Sequence, residues 1–302
     1  MHGTAVRRTE FILSTQILRP PVTQVGNFEA VRGLFASQVA RAELELPMLP
    51  EVAARVLGVA TSGDADAAAV ARLITADPAL AAHVMRVASS AIYQPRSPIE
   101  SLQHAISWLG LSEVADIAFT VAVQGKLLNV PGQKARVLRM WKHSVATAVW
   151  SRLVAEATGR PADAAYLNGL LHEIGKPVCV QTIAELARRA ATPLVEAEFD
   201  SLVAEFHVQV GVQLANAWKL PGGVAGVIEG WQDWANVGER RDCCAIAYFA
   251  HHLATGMLEN YGSLAADALA ADPVTEYLGL GLADVLALCA QSDHVQALVD
   301  HY

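Results

Sequence analysis

Four apolar segments of this chain carry histidine. His143 stands in Trp141-Lys142-His143-Ser144, and His172-Glu173 follows Leu170-Leu171 and precedes Ile174-Gly175-Lys176. His207 ends Glu205-Phe206-His207, and the pair His251-His252 sits between Ala250 and Leu253. Imidazole is the commonest protein metal ligand, and facing helices can bring such side chains together in a bundle core. The competing reading is that each is an ordinary core histidine satisfied by one hydrogen bond. No local ligand pattern of the HExxH type joins them, so only the fold can decide whether they converge. A Ser-His-Asp arrangement, a phosphate-binding glycine loop and a dinucleotide fingerprint are not found.

The elements that must position these residues read as helices. Asn27 is expected to cap a helix with Phe28, Val31, Leu34, Phe35 and Val39 on one face, broken at Leu46-Pro47-Met48-Leu49-Pro50. A second helix starts at Glu51 and stops near Gly63. Val70, Leu73 and Ile74 mark a third stripe. Asp77-Pro78 is a helix start, with Asp as N-cap and Pro at the first position. Ser97-Pro98-Ile99-Glu100 reads as a capping box for a helix through Leu102, Ile106 and Leu109, ended by Gly110. Further helices are expected over 113–128, 135–158, 162–174 (ended by Gly175), 182–191, 195–219, 222–234, 240–260 and 281–291. No period-2 strand is convincing, and Val178-Cys179-Val180 is too short to decide. The fold class expected is all-α, a multi-helix bundle. Three parts are expected: a flexible arm at 1–26, an N-terminal helical subdomain at 27–130 that ends at the turn Asn129-Val130-Pro131-Gly132, and a second helical subdomain at 131–302.

Composition agrees. Of 302 residues, 53% are hydrophobic and only 6% aromatic, and Ala and Leu are strong helix formers. The formal charge of -8 disfavours broad electrostatic binding to DNA. Arg188-Arg189 and Arg240-Arg241 read as solvated helix ends. Cys179, Cys243, Cys244 and Cys289 include no CxxC pair and are expected to be reduced thiols, which suits a cytoplasmic protein. Residues 1–26 lack the apolar run of a secretory leader, and no stretch of about 18 apolar residues occurs, so no membrane association is expected. The tryptophans read as core and boundary residues.

The chain resembles the HDOD family. In the first half the resemblance rests on Leu46-Pro47-Met48-Leu49-Pro50, Asp77-Pro78, Ser89-Ser90-Ala91-Ile92-Tyr93, and Ala105-Ile106 with Leu109-Gly110. In the second it rests on Trp141-Lys142-His143-Ser144, Leu170 through Lys176, His207 with Val210-Gly211, and Trp218-Lys219-Leu220-Pro221. It covers roughly residues 44–260. This resemblance implies an HD-domain-like fold and an output role in bacterial signal transduction, by binding a protein partner, such as a two-component or cyclic-dinucleotide protein, or a nucleotide ligand.

Catalytic HD relatives hold metal with a first histidine, a His-Asp doublet and a later aspartate. By resemblance His143 matches the first, His172 the doublet's histidine, Glu173 its aspartate, and His251 the later aspartate. A His-His pair common in the family is replaced by Ile228-Glu229-Gly230-Trp231. Losing one carboxylate disfavours a hard cation such as Mg2+ and suits Fe, Zn, Ni or Mn. The expectation is a non-catalytic signalling module with no required cofactor, and one divalent transition metal as the candidate occupant of His143, His172, Glu173 and His251. The alternative is a divergent metal-dependent phosphohydrolase or phosphodiesterase, with Lys176 or His207 facing phosphate. For Lys176 the ordinary reading is a surface lysine favoured by a helix C-terminus.

Overall fold

The computed structural model describes residues 25–60, 67–90, 93, 95, 98–259 and 265–302. The expected arm lies outside the described residues apart from its last two, which are helical, and so do Ser97 and Gly63.

Among the described residues the chain is helical with no strand. The first half holds α1 (Val25–Ala40), α2 (Glu51–Ala60), α3 (Ala67–Thr75), α4 (Pro78–Ala88), α5 (Leu102–Leu109) and α6 (Leu111–Leu127). The second half opens with α7 (Lys134–Ala157), α8 (Ala162–Leu171), α9 (Gly175–Arg189), α10 (Glu196–Ala217) and α11 (Gly222–Gly230). Two 3-10 turns, Trp231–Asn236 and Gly238–Arg240, lead into α12 (Arg241–Glu259). The short helices α13 (Ala266–Ala270), α14 (Pro273–Leu278), α15 (Leu282–Cys289) and α16 (Ser292–Val299) follow.

Local chemistry explains several boundaries. The Asp77 carboxylate accepts from the backbone N–H groups of Ala79 and Leu80 and so starts α4. Asn27 does not cap α1; it lies inside that helix. The N-cap of α5 is Ser101, which accepts from the His104 N–H at 3.1 Å, where the sequence suggested a box beginning at Ser97. Gly175, expected to end a helix, instead begins α9, and Val178-Cys179-Val180 lies within that helix.

The core forms two main apolar clusters. One joins α2–α6 through residues such as Val56, Ile74, Val84 and Ile117. The larger is built on α7–α12 and also takes Val31, Phe35 and Val39 from α1. Phe35 meets Phe206 edge-on, with centroids 4.9 Å apart. The two proline-bearing motifs meet as well: the Trp218 indole N–H donates to the Pro47 carbonyl at 2.7 Å. Arg152 on α7 pairs with Glu113 and Asp116 on α6, and so ties the halves together. All four cysteines are free. Among the described residues no single helix is long and apolar enough to cross a membrane.

Candidate metal centre

α7 and α8 pack closely against each other, and Gly169 makes this possible. A Cβ there would stand 2.4 Å from Ser151 Oγ and 2.7 Å from the Thr147 carbonyl. α7 carries His143 mid-helix. α8 ends at Leu171 and delivers His172 and Glu173 into the turn before α9. α12 carries His251. One donor atom from each of His143, His172, Glu173 and His251 lies within 4.8 Å of the others. The sequence-derived set therefore converges in space.

The hydrogen bonds fix which nitrogen faces inward. His172 Nδ1–H donates to the Gly169 carbonyl at 2.7 Å, leaving the Nε2 lone pair for the centre. His172 Nε2 stands 3.0 Å from His251 Nδ1, so in the metal-free site His251 Nδ1–H must be the donor. His143 Nε2 contacts Thr255 Oγ1 at 3.1 Å, and its buried Nδ1 has no hydrogen-bond partner. That nitrogen faces Glu173 Oε2 at 3.9 Å, the same distance that separates Oε2 from His172 Nε2. Donors sharing one cation stand roughly 3–4 Å apart; the 3.0 and 3.9 Å separations lie in that range, and the remaining ones, all within 4.8 Å, would close around an ion by small side-chain movements. Anchoring the remote imidazole nitrogen is the usual way a ligating histidine is oriented.

Lys176, in the first turn of α9, donates to Glu173 Oε1 at 2.5 Å. The carboxylate is thus divided: one oxygen serves the lysine, the other the histidines. Burial opposes the charge on Glu173, but His172 when protonated, the cationic Lys176 and His251 when protonated outweigh it and hold the carboxyl down to about 2. The imidazoles move the other way. Burial, the largest cause, lowers His143 to about 4 and His251 to about 2, and lowers His172 as well. At neutral pH the cluster is three neutral imidazoles and one anionic carboxylate, the protonation state that metal binding requires.

His207 on α10 stands beside this group and is not one of the four donors. Its Nδ1–H donates to the Ala204 carbonyl at 3.1 Å, and its buried Nε2 has no partner. Three contributors escaped sequence reading. Thr255 lies four residues after His251, hence on the same face of α12, and Gly169 lies three before His172. Trp231 packs against His251 and His172, at centroid distances of 4.4 and 5.1 Å. It sits on a 3-10 turn, where no helical periodicity announces a face.

An acid-stability prediction follows from His143. An unfolded chain protonates this imidazole near pH 6.5 and the folded chain only near 4. The unfolded state therefore binds the proton first as pH falls. The contribution is intact above 6.5 and is lost progressively toward 4, by up to about 3 kcal/mol. Urea midpoints of chelator-treated protein will fall across this range, and His143→Gln will make the fall shallower. An equally steep fall in the variant would remove His143 from the account.

The architecture and the site together define an all-helical domain with a histidine–carboxylate cluster of metal-ligand type. The HDOD domain family matches residues 46–232, more than half of the chain, and the protein belongs to that family. Solved structures share the fold. An HDOD domain protein of unknown function from Geobacter sulfurreducens superposes with a TM-score of 0.68 at 24% identity, covering 92% of this chain and 98% of that one. A protein from Shewanella amazonensis SB2B, provisionally described as a metal-dependent phosphohydrolase, gives 0.61 at 23% identity over 88% and 99% of the two chains. One from Marinobacter aquaeolei VT8, provisionally described as a signal transduction protein, gives 0.66 at 24% over 91% and 66%. No match was found among curated proteins.

Proposed function

We propose that this chain is a non-catalytic HDOD-type signalling module that acts by binding a protein partner or a nucleotide. In this reading His143, His172, Glu173 and His251 hold one divalent transition metal that fastens α7, α8 and α12 to one another. The observation that carries it is the make-up of the cluster: three imidazoles and a single carboxylate, one oxygen of which is already engaged by Lys176. Bound there, a metal would supply a rigid cross-link and a Lewis acid. Around it the chain offers little to a phosphate ester. Lys176 is committed to Glu173, and Trp231 lies against two of the ligands. Glu173 nevertheless reaches the histidines despite its extra methylene, and that convergence keeps a phosphohydrolase or phosphodiesterase as the second reading.

The test is hydrolysis. Protein loaded separately with Fe2+, Mn2+, Zn2+ or Ni2+ is assayed on bis(p-nitrophenyl) phosphate, p-nitrophenyl phosphate and cyclic dinucleotides. Rates equal to those of a His143→Ala/His172→Ala variant are expected. Metal-dependent turnover abolished by that variant would replace the signalling reading with the enzymatic one.

A further inference from the structure

Where the two halves meet, α2, α6, α8 and α11 enclose a cavity of ≈ 440 Å³. Its volume lies in the range of small-molecule sites, which are mostly apolar with a few directed polar groups. The walls follow that plan. Leu57, Phe119, Leu167 and Val224 supply apolar surface, and Asp116, Asp163 and Asn168 supply the polar groups. Asn168 is only 7% exposed and lines the cavity, and its side-chain amide finds no hydrogen-bond partner among the described residues and keeps access to solvent there. An amide that opens onto a cavity with no protein partner is free to bond whatever occupies it.

The charge of the lining is one-sided. Among the described residues no Lys, Arg or His lines the cavity. Arg152 reaches Asp116 from α7 but is shared with Glu113. Burial, the largest cause, raises the Asp116 carboxyl to about 7 even against Arg152, and Glu113 and Asp163 add repulsion. A cation placed beside Asp116 would favour its ionised form, whereas a further anion would meet Asp163 and Glu113 with no cation of the lining to offset them.

We propose that this cavity binds a small organic cation, an apolar ring-bearing body with a protonated amine, and not a phosphate-bearing nucleotide. The amine meets Asp116 and Asp163, the ring packs on Phe119 and Leu167, and a polar edge of the ligand satisfies Asn168. The cavity also has a structural line to the histidine cluster. Asn168 precedes the His172 anchor Gly169 on α8, and α11 runs into Trp231. An occupant therefore presses on two elements that position the centre, although the binding proposal stands whether or not metal is bound.

The experiment uses the full chain with tryptamine, phenethylamine and benzamidine as probes. Each is set against its carboxylate counterpart: indole-3-acetate, phenylacetate or benzoate. Binding is read by saturation-transfer NMR and calorimetry at millimolar ligand. At least one amine is expected to bind at a single site while its carboxylate counterpart does not. Asn168→Leu and Asp116→Asn will each weaken that amine about tenfold or more. Ala164→Trp places a large ring at the exposed rim of the cavity and will abolish binding with an unchanged melting midpoint. Failure of all three amines to bind, equal binding of amine and carboxylate, or binding that survives Ala164→Trp would overturn the proposal.

Discussion

Protein purified without chelator is expected to carry close to one equivalent of Fe, Zn, Ni or Mn per chain, and the His143→Ala/His172→Ala variant essentially none. The expectation rests on the four converging donors and on the two anchored imidazoles, His172 on Gly169 and His143 on Thr255. Two of four ligands are removed in the variant, one from α7 and one from the end of α8. Because metal binds the folded chain, chelation will also destabilise it, by about 3 kcal/mol when free metal had been a hundredfold above its Kd. Binding near pH 7 will release almost no protons, since His143 and His251 already lie at about 4 and about 2. Only the His251 tautomer must change, moving a proton from Nδ1 to Nε2, and this costs no net proton. Calorimetric enthalpies in two buffers of different ionisation heat will therefore agree. Substoichiometric metal that is the same in the double variant would reduce the four residues to a buried hydrogen-bonded cluster.

How far the sequence disclosed this site depends on distance along the chain. Asp77-Pro78 marks α4 because a cap and a fixed φ act within three residues. The same signal recurs at Asp272-Pro273, where Asp272 accepts from the Val274 N–H, but α14 spans only 6 residues. That is under two turns, too short for a hydrophobic stripe to single out. The four donors could not be assembled by periodicity at all. They come from α7, the end of α8 and α12, and only the ordered family motifs suggested that the segments share a centre. Lys176 shows the opposite case. A lysine after a glycine suggested a helix C-terminus, yet the glycine opens α9 and the lysine turns back on Glu173. The misreading arose because glycine was taken for a stop signal, while here its missing side chain is what matters.

Gly175→Ala is accordingly expected to be among the most damaging single-methyl additions in the chain. A Cβ at this position would lie 1.9 Å from the His207 carbonyl oxygen and 2.6 Å from the Gly211 nitrogen. Both are backbone atoms of α10, so no side-chain rotation can relieve the clash, and the start of α9 must move off α10. Overpacking of this kind costs about 3 kcal/mol or somewhat more. The same displacement carries Lys176 and the Glu173 turn away from the histidines, so metal retention should fall along with the urea midpoint. Gly33→Ala on α1 is the matched control. Among the described residues nothing lies within 4 Å of a Cβ there, and replacing a helical glycine by alanine stabilises by about 0.5–1 kcal/mol. If the two variants melt alike, the close contact of α9 with α10 does not position the centre. If Gly175→Ala melts lower yet keeps its metal, the contact matters for packing while Glu173 reaches the cluster without it.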